Sequence, residues 1–152
     1  MIIRLMKNIF LLTALFVSFT ALGQTSNEER PVRVCENMPI LEQCADEDKA
    51  QADRCTQMAV MQLVGEEISY PQVAKEAGLE GTVYVSFIVE KDGTVGDVKL
   101  MRGLGDSEAA KALSSEAVRA VSYLPDFIPG TNEDGDALRV NFVSPVRYLL
   151  SK

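Results

Sequence analysis

Residues 81–95, GTVYVSFIVEKDGTV, decide the fold of this chain. From Val83 to Val89, valine or phenylalanine stands at every second position and alternates with Tyr84, Ser86 and Ile88. These residues are mostly β-branched or aromatic, which predicts a strand with one buried face. Gly93 in the following Lys91–Thr94 stretch supplies the positive φ that hairpin turns need. The stretch therefore predicts a β-hairpin, with residues 95–101 returning antiparallel to the first strand.

The flanking sequence adds helices and one more strand. Gly65 is expected to end a helix over 55–64, and Pro71 to occupy the first position of a second helix over 70–78. Asp106 or Ser107 can cap a third helix, whose apolar stripe is expected to end before Pro125. Short strands are expected at 31–35 and 137–143, with Pro145 marking the limit or an exposed edge of the last strand. The expected fold class is α+β, a small antiparallel three-stranded sheet with two to three helices packed on one face.

Residues 1–23 are expected to form a signal peptide. Arg4 and Lys7 give a basic start, an apolar stretch runs from residue 9 to residue 22, and Ala21-Leu22-Gly23 is a small-x-small cleavage site. The stretch is short for a membrane span, although an uncleaved inner-membrane anchor is the alternative. The remaining chain divides into an N-terminal segment over 24–66, carrying a disulfide loop and a helix, and a domain over 67–150.

Composition excludes several functional classes. The 152 residues include 15 Lys and Arg against 22 Asp and Glu, a net charge of −7, and no His. Removal of residues 1–23 takes away two basic and no acidic residues, so the exported part carries 13 − 22 = −9. An acidic chain is a poor partner for nucleic acid, and a chain without His lacks the commonest general base and metal ligand. We expect no catalytic residue, no cofactor, no metal site and no small-molecule substrate.

The three cysteines fit export to an oxidising compartment. Cys44 and Cys55 flank a short charged loop, so a structural disulfide between them is expected, and Cys35 is left over. The alternative is a redox site, and the chain has neither a Cys-x-x-Cys pair nor a His that could activate a thiolate.

From Ile68 to Tyr148 the chain resembles the TonB C-terminal domain, in the form found in the Bacteroidetes group of bacteria. The resemblance is carried by motifs in family order: Tyr70-Pro71 with Ala74 and Gly78, the alternating strand after Gly81, Asp92-Gly93, the stripe of Leu113, Ala117 and Val121, and the corner over 124–130. The corner holds Phe127 where the family usually has Trp, and Glu66–Ser69 replaces the Gln/Pro-rich approach of well-studied transducers.

This resemblance implies a non-enzymatic, periplasmic binding module associated with energy-dependent transport across the outer membrane. Such domains grip a short extended segment of outer-membrane receptors or other envelope proteins, and strand addition to a sheet edge is the physical means. The expected partner-binding residues are Leu138, Arg139, Val140, Asn141 and Phe142, with Tyr70 and Pro71 as further contacts. Proline at Val140 or Phe142 is expected to weaken binding wherever that N–H faces outward.

The six prolines are scattered and do not form the extended spacer that a complete transducer uses to cross the periplasm. The expected role is therefore that of a standalone adaptor. One alternative is a membrane-anchored energy transducer that retains its leader and meets an inner-membrane motor complex. The other is a thiol redox enzyme.

Overall fold

The computed structural model of the protein describes residues 29–150. The predicted signal peptide over 1–23 lies outside the described residues. In chain order, the elements are β1 (Ile40–Leu41), a 3-10 turn (Glu42–Cys44), α1 (Lys49–Glu67), α2 (Gln72–Glu76), β2 (Gly81–Val89), β3 (Val95–Arg102), α3 (Glu108–Ser122), β4 (Phe127–Ile128) and β5 (Val140–Tyr148).

β2 is the middle strand of a three-stranded antiparallel sheet ordered β3-β2-β5. Four alternate apolar residues of β2 face the core and are fully buried. They are Val83, Val85, Phe87 and Val89. Helices α1 and α3 pack over this core together with β1, which pairs with β4 in a separate two-stranded ladder. The predicted hairpin and the predicted α+β fold class are confirmed.

The third helix, α3, follows its predicted pattern. The side chain of Ser107 accepts a hydrogen bond of 3.1 Å from the Ala110 N–H, which satisfies one of the free donors at the helix start. The predicted apolar stripe is buried against the sheet, with Leu113, Ala117 and Val121 fully enclosed. This helix therefore closes the core over β2 and β3.

Helix α1 is longer than predicted at both ends. Asp48 caps its start by accepting a hydrogen bond of 3.1 Å from the Gln51 N–H, four residues into the charged stretch that follows Cys44. The prediction that Gly65 ends the helix is wrong, since the helix continues to Glu67. Glycine costs a helix only about 1 kcal/mol relative to alanine, and the buried Val64 and half-buried Ile68 hold the last turn on the core.

Helix α2 begins one residue later than predicted. Pro71 is the residue before the first helical position, with an extended ψ of 138°. Gly78 lies past the end with a φ of +61°, as expected for a left-handed terminus. Pro71 and Gly78 thus flank the two ends of the helix. Pro71 lies one position before the first helical residue, which it was predicted to be.

Two strand predictions need correction. The last strand covers Val140–Tyr148 and not 137–143, because Pro145 is accommodated on an outer strand where its missing N–H breaks no ladder bond. The predicted strand over 31–35 is reduced to one parallel bridge between Val32 and Val140. Val34, two residues further, is 79% exposed, so the segment leaves the sheet after a single contact.

The expected disulfide joins Cys44 to Cys55, with their Cα atoms 5.8 Å apart. It ties the turn after β1 to the second turn of α1. A buried hydrogen bond of 3.1 Å from the Leu41 N–H to Thr56 Oγ1 supports the same junction. Closing a loop of this size stabilises a fold by about 3 kcal/mol in the chain-entropy account.

Candidate partner-binding edge

The outer side of β5 is a sheet edge with backbone groups that face away from β2. The Asn141 N–H donates to the Val32 carbonyl at 2.7 Å, outside the sheet. Because backbone groups alternate in direction along an antiparallel strand, the N–H groups of Val143 and Arg147 face outward as well. Pro145 lies between them and has no N–H to offer. The edge therefore presents donors at Val143 and Arg147 beyond the position that Val32 occupies.

The alternation corrects the predicted proline positions. Val140 pairs with Val89, and Phe142 pairs with Phe87, with their N–H groups directed into the β2 ladder. Proline at either position would break the sheet rather than the edge. The residues that test the edge are Asn141 and Val143, which follow Val140 and Phe142 in the chain and direct their N–H groups outward.

The predicted partner residues at 138–142 only partly lie on the edge. Leu138 and Arg139 precede the strand, and the Leu138 N–H already donates to the Gly130 carbonyl at 2.9 Å. Val140 is fully buried. Phe142 stacks on Phe87 with ring centroids 5.4 Å apart, so its side chain forms part of the core and of the adjoining groove. Of the five predicted residues, Asn141 alone directs its N–H outward from within β5.

Tyr70 and Pro71 lie at the opposite end of β5. Tyr70 packs edge-on against Tyr148 with ring centroids 5.4 Å apart, and its hydroxyl donates to the Leu79 carbonyl. Burial is the main cause that raises the pKa of Tyr70. Tyr148 lies six positions beyond Phe142 along the strand, about 20 Å at the usual rise. The structure therefore does not bring Tyr70 together with the residues at 138–142.

A groove of about 340 Å³ lies between the edge of β5 and α1. Its apolar lining comes from β5 and from the segment before the resembling domain. The lining includes Met38, Val60, Met61, Phe142, Val143 and Pro145. Met38 and Met61 were not predicted, since neither belongs to a periodic pattern and no local signal shows that α1 lies beside β5. The groove gives the edge a neighbouring apolar surface.

Ser144 is a polar residue in the lining of this groove. It is 2% exposed, and its Oγ atom has no hydrogen-bond partner among the described residues. A buried hydroxyl without a partner costs about 1–3 kcal/mol. Ser144 therefore offers a polar contact that the protein itself leaves unused.

Two arginines flank the open part of the edge. Arg33 lines the groove beside Asn141 and Val143, while Arg147 lies on the edge itself, and both side chains are exposed. Within residues 29–150 neither takes part in an ion pair of the kind formed by Arg139 and Glu90. Since the whole chain carries −7, the rim of the edge is locally more positive than the rest.

The cysteines do not form a redox centre of the usual kind. Cys44 and Cys55 are joined in the disulfide that fixes α1. Burial first, and then the negative charge of Asp53, raise the pKa of the free Cys35 thiol. A raised pKa lowers the thiolate fraction, which is the reactive form. The raised pKa therefore makes Cys35 a poor nucleophile.

Within residues 29–150, no helix combines the length and hydrophobicity needed to cross a membrane.

Comparison with known proteins places the sheet, α2 and α3 in one family. Residues 66–150 match the family described as Gram-negative bacterial TonB protein C-terminal. Two Helicobacter pylori proteins named Protein TonB, from strains J99 / ATCC 700824 and ATCC 700392 / 26695, are each 27% identical over 95 residues. These matches cover 62% of this chain but only 31% and 30% of the two relatives, so the chain spans about a third of their length.

Two solution structures of the Helicobacter pylori TonB C-terminal domain are also similar to the chain. The structure of residues 179–285 is 24% identical with a TM-score of 0.46, covering 62% of this chain and 80% of that one. The structure of residues 194–285 is 25% identical with a TM-score of 0.43, covering 62% and 94%.

Proteins of the matched family are transport-associated, act in the cell envelope and interact with envelope proteins. The family match covers more than half of this chain and includes every strand of the three-stranded sheet. The chain therefore belongs to the family of TonB protein C-terminal domains.

Proposed function

We propose that this protein is a periplasmic binding module that adds an extended segment of an outer-membrane receptor to β5, in association with energy-dependent transport. The proposal rests on the outer edge of β5, where the N–H groups of Val143 and Arg147 point away from β2 and Val143 borders an apolar groove. An extended peptide laid along this edge gains backbone hydrogen bonds, each with a net value of about 0.5–1.5 kcal/mol.

The surroundings of the edge favour particular side chains in the partner. Side chains of an added strand alternate between the two faces of the sheet. On one face they would meet Met61 and Phe142 in the groove, which suits apolar groups. On the other they would lie near Arg147, with Arg33 at the rim between the two faces, which suits neutral or acidic groups. The proposed module works without a catalytic residue, cofactor or metal.

The edge is tested by two substitutions of opposite expected effect. Val143→Pro removes an outward donor and should weaken peptide binding by about two- to tenfold. Pro145→Val adds an outward donor at the gap in the edge and should strengthen binding severalfold. Val143→Ala is the matched control, because it shortens the same side chain and keeps the N–H.

The measurement is a fluorescence titration with labelled nine-residue peptides from periplasm-facing segments of outer-membrane proteins of the host. The tightest-binding peptide then serves for all variants. Binding unaffected by Val143→Pro, with the circular dichroism spectrum intact, would contradict strand addition at β5. If none of the peptides binds in this titration, the receptor-segment proposal as a whole is contradicted.

Export and the division of the chain are part of the proposal. Residues 1–23 would direct export and be removed, leaving a segment over 24–66 and the domain over 67–150. The groove supports a joint role for the two parts, since Met38 and Met61 precede the family match and Phe142 lies within it. N-terminal sequencing of the exported protein should begin at Gln24. A sequence beginning at Met1 would instead favour the anchored transducer.

A further inference from the structure

The first position of the β5 edge is occupied by the chain itself. The Val32 N–H donates to the Arg139 carbonyl at 2.9 Å, and the Val32 carbonyl accepts from the Asn141 N–H at 2.7 Å. These two bonds form one rung of a parallel ladder, as an added strand would. Residues 30–34, here called the N-terminal latch, thus lie where a partner segment would begin.

Both ends of the segment that carries the latch are fixed. On one side, Arg139 donates to the Glu29 carbonyl at 3.0 Å and holds Glu90 by two contacts of 2.6 and 2.9 Å. Lys91 pairs with Glu29 at the same point. On the other side, Asn37 exchanges backbone hydrogen bonds of 3.0 and 2.9 Å with Thr131. The anchors keep the latch next to β5 whether or not its rung is formed.

The latch is held to β5 by a single rung, and its last residue is not paired. In a continuing parallel ladder, Val34 would be the next residue to pair, with the Asn141 carbonyl and the Val143 N–H. Val34 forms no bridge to β5, and it is 79% exposed. The latch therefore contributes one rung of two hydrogen bonds. Molecules with the latch open are then about ten times rarer than molecules with it closed.

The rung matters because the edge has few donors. Three residues of β5 can direct an N–H outward, Asn141, Val143 and Arg147, since Pro145 has none. The latch holds the first of the three. A partner that uses the whole edge must take this donor from Val32, whereas a partner confined to Val143 and beyond loses a third of the available donors.

We propose that the N-terminal latch is an autoinhibitory contact that a partner strand displaces when it adds to β5. The inference rests on the proposed function, because a competitor has meaning only where strand addition occurs. It extends that function by making the segment before the family domain a regulator of the edge. A latch that is closed in most molecules lowers the apparent partner affinity by the open fraction.

Val32→Pro tests the latch, with Val34→Pro as the matched control. The first removes the N–H that donates to Arg139, and the second places proline in the same segment at a residue without a rung. Titration with the peptide selected above should show about tenfold tighter binding for Val32→Pro and no more than a twofold change for Val34→Pro. Wild-type affinity in Val32→Pro, while Val143→Pro still weakens binding, would overturn the latch and leave the proposed function standing. Equal binding by the wild type and Val143→Pro would overturn both.

Amide hydrogen exchange of the wild-type protein gives a second readout that does not depend on a variant's folding. On saturation with the peptide, the Val32 amide should exchange at least several times faster, because its acceptor has been released to the partner. The Asn141 amide should remain protected, since the partner replaces Val32 as its acceptor. A Val32 amide that stays protected in the complex would overturn displacement.

Discussion

The central sheet has two outer strands, and they are edges of very different kinds. β3 pairs with β2 through two register shifts, and Asp97 adopts a φ of +48° within it. β5 pairs with β2 over nine successive residue pairs without a shift. The exposed part of β3 carries the Lys99–Asp97 ion pair and Arg102, whereas β5 borders an apolar groove.

The contrast between β3 and β5 shows that an outer strand is not by itself a docking edge. Bulges twist a strand away from new partners, and charged side chains make an added strand unfavourable. β3 has both features. β5 is protected by Pro145 and by the rung with Val32, and both protections are local. An extended partner should therefore choose β5, and changes to either edge should alter this preference in a predictable order.

The largest expected effect concerns α1, which forms a wall of the groove beside β5; within the described residues, the β3 edge has no such wall. Cys44→Ala with Cys55→Ala removes the disulfide that ties α1 beside β5 and should lower the free energy of unfolding by about 3 kcal/mol. Urea denaturation measures the change, and Cys35→Ala is the control with little expected effect. An unchanged midpoint for the double variant would show that α1 is held without the disulfide. Peptide binding should weaken as the groove wall loosens.

A smaller effect is expected at the far end of β5. Tyr148 donates to the Leu113 carbonyl at 2.9 Å, so Tyr148→Phe should cost about 1 kcal/mol at neutral pH. Burial, followed by the charge of Glu116, raises the pKa of Tyr148 above the 10.0 of a free tyrosine. The folded state thus holds this proton more tightly than the unfolded state. The stabilisation is complete below pH 10 and is lost as the pH rises above it.

Denaturation from pH 8 to pH 11 checks the sign of this dependence. The wild type should lose stability more steeply above pH 10 than Tyr148→Phe, so the difference between the two should shrink with rising pH. A constant difference across that range would show that Tyr148 ionises equally in both states.

The smallest effect is expected within the groove. Ser144→Ala removes a buried hydroxyl that has no partner among the described residues, and should stabilise the free protein by up to about 1 kcal/mol. If a peptide supplies the missing partner, the same change should weaken binding by a few fold. Ser86→Ala, at a half-buried residue of β2 whose hydroxyl donates to the Lys99 carbonyl at 3.4 Å, is the control. Reduced stability of Ser144→Ala would mean that the hydroxyl is satisfied in solution.

Local patterns predict the middle of this fold well. The alternation at 83–89, the Gly93 turn and the stripe of α3 depend on neighbours within a few residues, and each appears where it is predicted. Gly65 shows the limit, because packing of Val64 and Ile68 overrides a weak local stop signal. The end of β5 could not be placed from sequence, since the tolerance of Pro145 depends on which side of the strand faces β2.

The site was predicted less completely than the fold. The edge strand follows from the resemblance, but the direction of each N–H depends on the pairing of Val140 with Val89, which no local pattern reveals. Met38 and Met61 meet β5 only through the packing of α1. Val32 reaches β5 across more than a hundred residues of sequence, so its alternating surroundings suggested a strand where a single rung exists.

The most direct test of the account is a nuclear magnetic resonance titration that follows the backbone amides of both outer strands with the selected peptide. Strand addition at β5 predicts large shift changes and new exchange protection at Val143 and Arg147, with the amides of β3 from Val95 to Arg102 unchanged. Protection of the β3 amides, or saturable binding without any protection at Val143 and Arg147, would contradict it.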